Sequence, residues 1–255
     1  MVRLLGKMQF KQLKTQIRNH KRTNKSYIQP IKFDVLSLMS MEKEKVAEFI
    51  KPFGPLILKI KLSDNILNDL NQDCLDISNN KKDKIDWSKS LAGRVEEEYL
   101  ISDDILSKYA KWFNVVTARY LFPTDEKLKE NSGKLSIAIT SAWYVRSFEG
   151  DFNPAHFHTE CQISCLGFLK LPDDIEEYWK EEDKDHNPYG GYTDFRYGTA
   201  GLNCTNNMKV KPKVGDFYMF PSWLDHMVYP FRSKYKKPNL KGERRSFSLN
   251  IVYKI

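Results

Sequence analysis

Three of the chain's five histidines lie in two short stretches. The first is Gly150-Asp151-Phe152-Asn153-Pro154-Ala155-His156-Phe157-His158-Thr159-Glu160, and the second is Phe220-Pro221-Ser222-Trp223-Leu224-Asp225-His226. Side chains at i, i+2 and i+4 of an extended strand share one face. His156, His158 and Glu160 therefore line up if the first stretch is extended. Two imidazoles and a carboxylate, with coordination positions left open, form a set that suits non-haem Fe(II). One histidine of such a set must come from a distant strand, and His226 is the best placed to supply it. His20 and His186 sit in charged surroundings and are poor candidates.

A third stretch, Glu243-Arg244-Arg245-Ser246-Phe247-Ser248-Leu249-Asn250, alternates strictly. As a strand it puts Arg244, Ser246, Ser248 and Asn250 on one face, against Arg245, Phe247, Leu249 and Ile251 on the other. A polar face on a strand this apolar on its other side fits either a lined cavity or an edge wetted by solvent. Arginine is the side chain best shaped to grip a carboxylate with two parallel hydrogen bonds.

The elements that must position these residues divide into two kinds. Gly54 to Leu62 reads as a strand opened by a turn. Ser63 then caps a helix whose apolar residues Ile66, Leu67, Leu70, Cys74 and Ile77 recur at helical spacing. Ser102 caps a second helix with the stripe Ile105, Leu106, Tyr109, Trp112, Phe113 and Val116, which Pro123 closes. From Lys134 the period drops to two. Leu135 to Thr140, Ala142 to Phe148, Ile163 to Leu171 and Arg244 to Tyr253 read as strands, and Lys209 to Met219 as two short ones around a turn. Asp173 to Gly191 reads as a surface insertion. Helices first and short strands after predict a mostly β (α+β) fold, with N-terminal helices packed outside a sandwich or barrel.

At 255 residues and 41% hydrophobic content, the chain can bury one sizeable core. It has no apolar run of the length, about 18 residues, that would predict a membrane span. Cys74, Cys161, Cys165 and Cys204 form no CxxC pair, which points to a reducing, cytoplasmic setting (the host cytoplasm if the chain is viral). The net charge is +8. Arg3, Lys7, Lys11, Lys14, Arg18, Lys21, Arg22 and Lys25 meet no acidic residue, so residues 1–32 read as a basic arm ahead of a single domain over 33–255. A solvated arm, an organelle presequence, and a tail for nucleic acid or a membrane surface all fit that composition.

Taken together, the motifs resemble the Fe(II)/2-oxoglutarate-dependent oxygenases, most of all those common in marine phages, bacteria and large viruses. The matching pieces are Gly150-Asp151 through His156-x-His158, Ser164 to Pro172, Gly215-Asp216 through Phe220-Pro221-Ser222-Trp223-Leu224-x-His226, and Arg244 to Asn250. The resemblance covers about 115 residues, from Ser141 to the C-terminus. The resemblance implies a double-stranded β-helix (jelly roll). It also implies iron on an HxD/E motif plus a distal histidine, and 2-oxoglutarate held through its far carboxylate by Arg244 and Ser246.

Here HxH and HxE overlap, so two ligand sets are open. In the favoured one the ligands are His158, Glu160 and His226, since an anionic ligand offsets the charge of Fe(II), and His156 stands beside the metal. In the other they are His156, His158 and His226. Tyr144, Trp143, His156 and Asn250 are the pocket candidates. The implied activity is a dioxygenase that hydroxylates a C–H bond of an unidentified substrate. It consumes 2-oxoglutarate and dioxygen, releases succinate and CO2, and responds to ascorbate.

Two other readings accompany it. Gly150, His156, His158, Gly215, Pro221 and His226 partly match a cupin, which would be a metal-dependent dioxygenase or a small-molecule binder. The lack of a glutamate at cupin spacing and the presence of Arg244-x-Ser246 count against that reading. A nucleic-acid-binding module rests on the basic arm alone.

Overall fold

In the computed structural model, residues 47–50, 54–79, 84–88, 93–95, 97–123, 126–182 and 188–255 are described. The basic arm, His20 and His186 lie outside them. The strands are β1 (Ala47–Ile50), β2 (Ile57–Lys61), β3 (Glu97–Leu100), β4 (Ser136–Ser147), β5 (Asn153–His156), β6 (Ile163–Lys170), β7 (Thr193–Arg196), β8 (Asn207–Val210), β9 (Asp216–Pro221), β10 (Asp225–Val228) and β11 (Arg244–Lys254). The helices are α1 (Asp64–Asn79), α2 (Asp103–Leu121), α3 (Glu126–Glu130) and α4 (Ile175–Glu182). The fold is thus mostly β. One antiparallel sheet runs β1-β2-β9-β6-β11-β4-β3 and a second runs β5-β10-β7-β8.

The alternation of β11 decides what lies on each side of the large sheet. Phe247, Leu249 and Ile251 join Tyr144, Cys165, Phe217 and Met219 in one apolar cluster, together with Ile66, Leu70, Cys74 and Ile77 of α1 and Phe113 and Val116 of α2. Burying each large side chain of this set stabilises the fold by roughly 1.5–3 kcal/mol. Ser102 caps α2 as its sequence predicts, its hydroxyl accepting from the Ile105 amide at 3.4 Å. The opposite side of the sheet faces the small one. There Leu166, Phe168, Tyr218 and Phe220 meet Phe195 and Val210.

Gly167 sits opposite Phe247 in the register, and a Cβ there would stand 2.1 Å from the Phe247 ring. Only glycine lets that ring stack on Phe217, at 5.6 Å between centroids.

Three segments differ from the sequence reading. The two pieces at 135–140 and 142–148 are one strand, β4, whose register against β11 shifts between Asn250 and Ile251. Such an extra residue bends a strand and lets the side-chain parity change midway, which disguises one strand as two. Within 173–191, α4 is a helix with buried Ile175 and Trp179 packed on Phe231. Its apolar residues are too few to outweigh its acidic composition in the sequence. Finally β8 and β9, adjacent in sequence, belong to different sheets and form no hairpin.

Arg245 faces away from the small sheet, as its parity requires, and completes a buried ionic network. Glu243 Oε1 accepts from Arg146 Nε at 2.8 Å and from Arg245 Nε at 2.7 Å, while its Oε2 accepts from Arg245 Nη2 at 2.8 Å. Arg146 also donates to Glu97 at 2.6 Å, and Arg245 to Asn71 Oδ1 at 2.9 Å. Burial pushes the Glu243 carboxyl up, but the bonds and charges of Arg245 and Arg146 outweigh it and leave the pKa below its ordinary value. Removing one partner of a buried pair strands the other charge, at about 3–5 kcal/mol. Glu243→Ala is accordingly expected to lose that much in urea unfolding, with a lowered midpoint and an unchanged m-value.

Candidate active site

Register brings the first two histidines together. β10 pairs antiparallel with β5, and His226 is the direct cross-strand partner of His156. His158 lies just past the end of β5, where its amide donates to Ser222 O at 2.8 Å and ties the segment to the end of β9. The ring centroids are 4.3 Å apart for His156–His226, 5.1 Å for His158–His226 and 5.4 Å for His156–His158. One nitrogen from each ring lies within 4.8 Å of the others.

Each ring is oriented by its Nδ1. The oxygen partners are Pro154 O at 2.7 Å for His156, Asn250 Oδ1 at 2.7 Å for His158 and Leu224 O at 3.0 Å for His226. Carbonyl oxygens only accept, so each Nδ1 carries the proton and each Nε2 keeps a free lone pair. Burial lowers the His226 pKa well below its ordinary value, and the neighbouring His156 and His158 lower it further. Burial also lowers that of His158, partly offset by Asn250. His158 and His226 are therefore neutral near pH 7, the form in which imidazole binds a metal.

Glu160 does not join this cluster. β5 ends at His156, so the i, i+2, i+4 alignment stops before reaching it. Its backbone turns through the left-handed region (φ 64°), and the side chain is exposed. The structure brings together His156, His158 and His226, and the carboxylate favoured by charge reasoning stands apart.

A cavity of about 280 Å³ opens over the histidines between the two sheets. Its walls include Arg244, Ser246, Ser248 and Asn250, the polar face of β11. Trp143 lines it too and stacks on His158 at 5.8 Å with 25° between planes. Tyr144, expected at the pocket, points to the opposite side of the sheet, where its hydroxyl donates to Asp73 at 2.7 Å. Strand alternation allows only one of Trp143 and Tyr144 to face the cavity.

Arg244 is fully buried, and no acidic partner is recorded for it among the described residues. Its Nε donates to Gly191 O at 3.2 Å, Nη1 to Ser246 Oγ at 3.4 Å, and its guanidinium carbon lies 5.2 Å from the Phe168 ring centre. Its Nη2 has no partner, and neither has the hydroxyl of Thr193, which lines the same cavity from β7. Burial alone pulls the Arg244 pKa down to about 10. A buried guanidinium with a free N–H beside two hydroxyls is a socket for a carboxylate. Thr193 was not legible as part of it, since threonine in a strand is ordinary and only the three-dimensional pairing reveals the unsatisfied hydroxyl.

Residues 141–250 match a family described as "Putative 2OG-Fe(II) oxygenase". Among solved structures the chain is similar to the viral collagen prolyl hydroxylase of Paramecium Bursaria Chlorella virus-1, in its 2OG complex. The identity is 18%, over 83% of this chain and 97% of that one, with a TM-score of 0.43. It is also similar to a Pseudomonas putida prolyl-4-hydroxylase (13% identity, 84% and 96% covered, TM-score 0.45). A third is the carbocyclase SnoK of nogalamycin biosynthesis (10%, 76% and 78%, TM-score 0.49). No curated protein matches the chain. Across residues 141–250, the stretch that contributes His156, His158, His226 and Arg244, the chain is similar to the 2OG-Fe(II) oxygenase family.

Proposed function

We propose that this protein is an Fe(II)- and 2-oxoglutarate-dependent dioxygenase that hydroxylates a C–H bond of its primary substrate. In this reading His156, His158 and His226 hold the metal, and Arg244, Ser246 and Thr193 hold the far carboxylate of 2-oxoglutarate. Residues 33–255 make one double-stranded β-helix domain with helices packed outside it, and residues 1–32 a basic arm.

The observation that carries the proposal is a coincidence of two needs in one cavity. Three imidazoles converge with free lone pairs, and a few side chains away a buried guanidinium lacks its counter-charge. Fe(II) and 2-oxoglutarate, when bound, supply the oxidising chemistry, with succinate and CO2 as the cosubstrate's products. The chain's own contribution is placement and exclusion of water. Asn250 fixes the His158 ring, with Ser164 donating to the same Oδ1 at 3.2 Å. Trp143, Val145, Leu166 and Phe220 wall the cavity with apolar surface. Three neutral ligands would leave the metal's two positive charges uncompensated; the near carboxylate of 2-oxoglutarate would offset one of them, while its far carboxylate is matched by Arg244.

Absence of a carboxylate from the triad is the one observation that favours the cupin-like reading; the orphaned Arg244 opposes it. Succinate release separates the two. Incubation of the full chain with Fe(II), dioxygen, ascorbate and 2-oxoglutarate is expected to yield succinate, and a chelator is expected to stop it. No succinate above the metal-free control would reject the proposal.

A further inference from the structure

Glu98 is a buried carboxyl with nothing to hold. Its exposure is 0%, and neither oxygen has a hydrogen-bond partner among the described residues. Burial is the main influence on it, followed by the charges of Asp86 and Asp151, and together these push its pKa up to about 8. Among the described residues, no lysine or arginine is one of the groups acting on it. A group in this position costs the fold free energy unless something completes it.

The register says which way it faces. Glu98 is the cross-strand partner of Val145, and Val145 in turn pairs with Ser246 of β11. Directly paired residues project to the same face of a sheet. Val145 and Ser246 both line the cavity, so Glu98 stands on the cavity's side of the sheet, one strand beyond its wall. In the next row Leu100 pairs with Trp143. Trp87, whose amide donates to Glu98 O at 2.8 Å, lines the cavity and packs with Trp143 and Val145. Arg244 lies two strands across and two residues along, about 12 Å at normal strand spacing and rise.

The two sides of the cavity therefore differ in charge: a guanidinium lies in its wall on one side, and on the other an unpaired carboxyl stands directly behind the wall that Trp87, Trp143 and Val145 form. Indole faces attract cations, and a carboxyl flanked by two more completes a cation site.

We propose that the β3 side of the cavity, built on Glu98 with Trp87 and Trp143, binds a protonated amine or guanidinium of the primary substrate. This rests on the oxygenase reading for the word substrate, but the cation site stands on its own geometry. The other ionisable groups bearing on Glu98 are Asp86, from the segment bridged to β3, and Asp151, from the turn after β4. A cation docking there draws the Glu98 proton off, so binding near pH 7 releases a proton.

Calorimetry on the full chain tests this with n-butylammonium, n-butylguanidinium and n-butanol, in phosphate and in HEPES, with 2-oxoglutarate titrated separately. Both cations are expected to bind at least about tenfold more tightly than the alcohol. Their heats should differ between buffers because a proton is released. In Glu98→Gln the preference should shrink to within about twofold and the buffer dependence vanish, while 2-oxoglutarate affinity stays unchanged. Equal affinity for cation and alcohol in the wild type, or a preference that survives Glu98→Gln, overturns the proposal. Failure of 2-oxoglutarate to bind the wild type instead counts against the oxygenase reading and leaves the cation result to be judged separately.

Discussion

His226→Ala is expected to weaken divalent-metal binding by more than about 100-fold, which is the upper range for losing only a hydrogen-bond partner of a ligand. Succinate release should fall to background with it. His226 is the most buried of the three rings, and its Nδ1 is held by the Leu224 carbonyl just before its strand. Its loss removes one of three donors rather than loosening one. The apo protein should keep its fold, because removing a neutral ring strands no buried charge. Anaerobic calorimetry with Mn(II) reads the metal, and a urea midpoint controls for folding. Metal affinity within tenfold of wild type would mean that the ion sits elsewhere.

The second large effect is Arg244→Gln, which should act with opposite signs on two measurements. Truncating one side of a buried hydrogen-bonded charge pair costs about 2–5 kcal/mol, so 2-oxoglutarate should bind roughly 30- to 4,000-fold more weakly. Metal affinity should stay within about twofold, since Arg244 contributes no donor to the triad. The unliganded protein should become more stable. Burial depresses the Arg244 pKa from its ordinary value to about 10. Above the unfolded pKa the two states bind protons equally. As pH falls from the unfolded pKa to the folded one, the unfolded chain holds a proton that the folded one resists, so stability is lost. At pH 7 the full penalty is present, on the order of 3 kcal/mol at about 1.4 kcal/mol per unit. Glutamine removes that penalty. A variant that lost both cosubstrate affinity and apo stability would mark Arg244 as a structural residue.

Much of the site could be read in the sequence because it depends on period two. The parity of β11 assigns Arg244, Ser246, Ser248 and Asn250 to one face and Arg245 to the other, and both assignments survive in the structure. His158 and His226 were identifiable for a different reason: few histidines exist, and each lies beside a strand end. Glu160 was misplaced because alternation says nothing about where a strand stops. Its positive φ comes from the turn leading into β6, which no local pattern in Thr159-Glu160-Cys161 announces. Tyr144 was misplaced because the bulge near Asn250 hides the phase of β4. Thr193 and Glu98 could not be found at all, since what marks them is an absent partner, a property of packing rather than of sequence.

The central claim is the ligand set, and diffraction tests it most directly. Crystals of the full chain grown anaerobically with Fe(II) and 2-oxoglutarate, measured at the iron edge, are expected to show one anomalous peak. It should sit within bonding distance of His156, His158 and His226, with the cosubstrate's far carboxylate on Arg244. A peak bonded to Glu160 in place of His156, or none among the three rings, would contradict it.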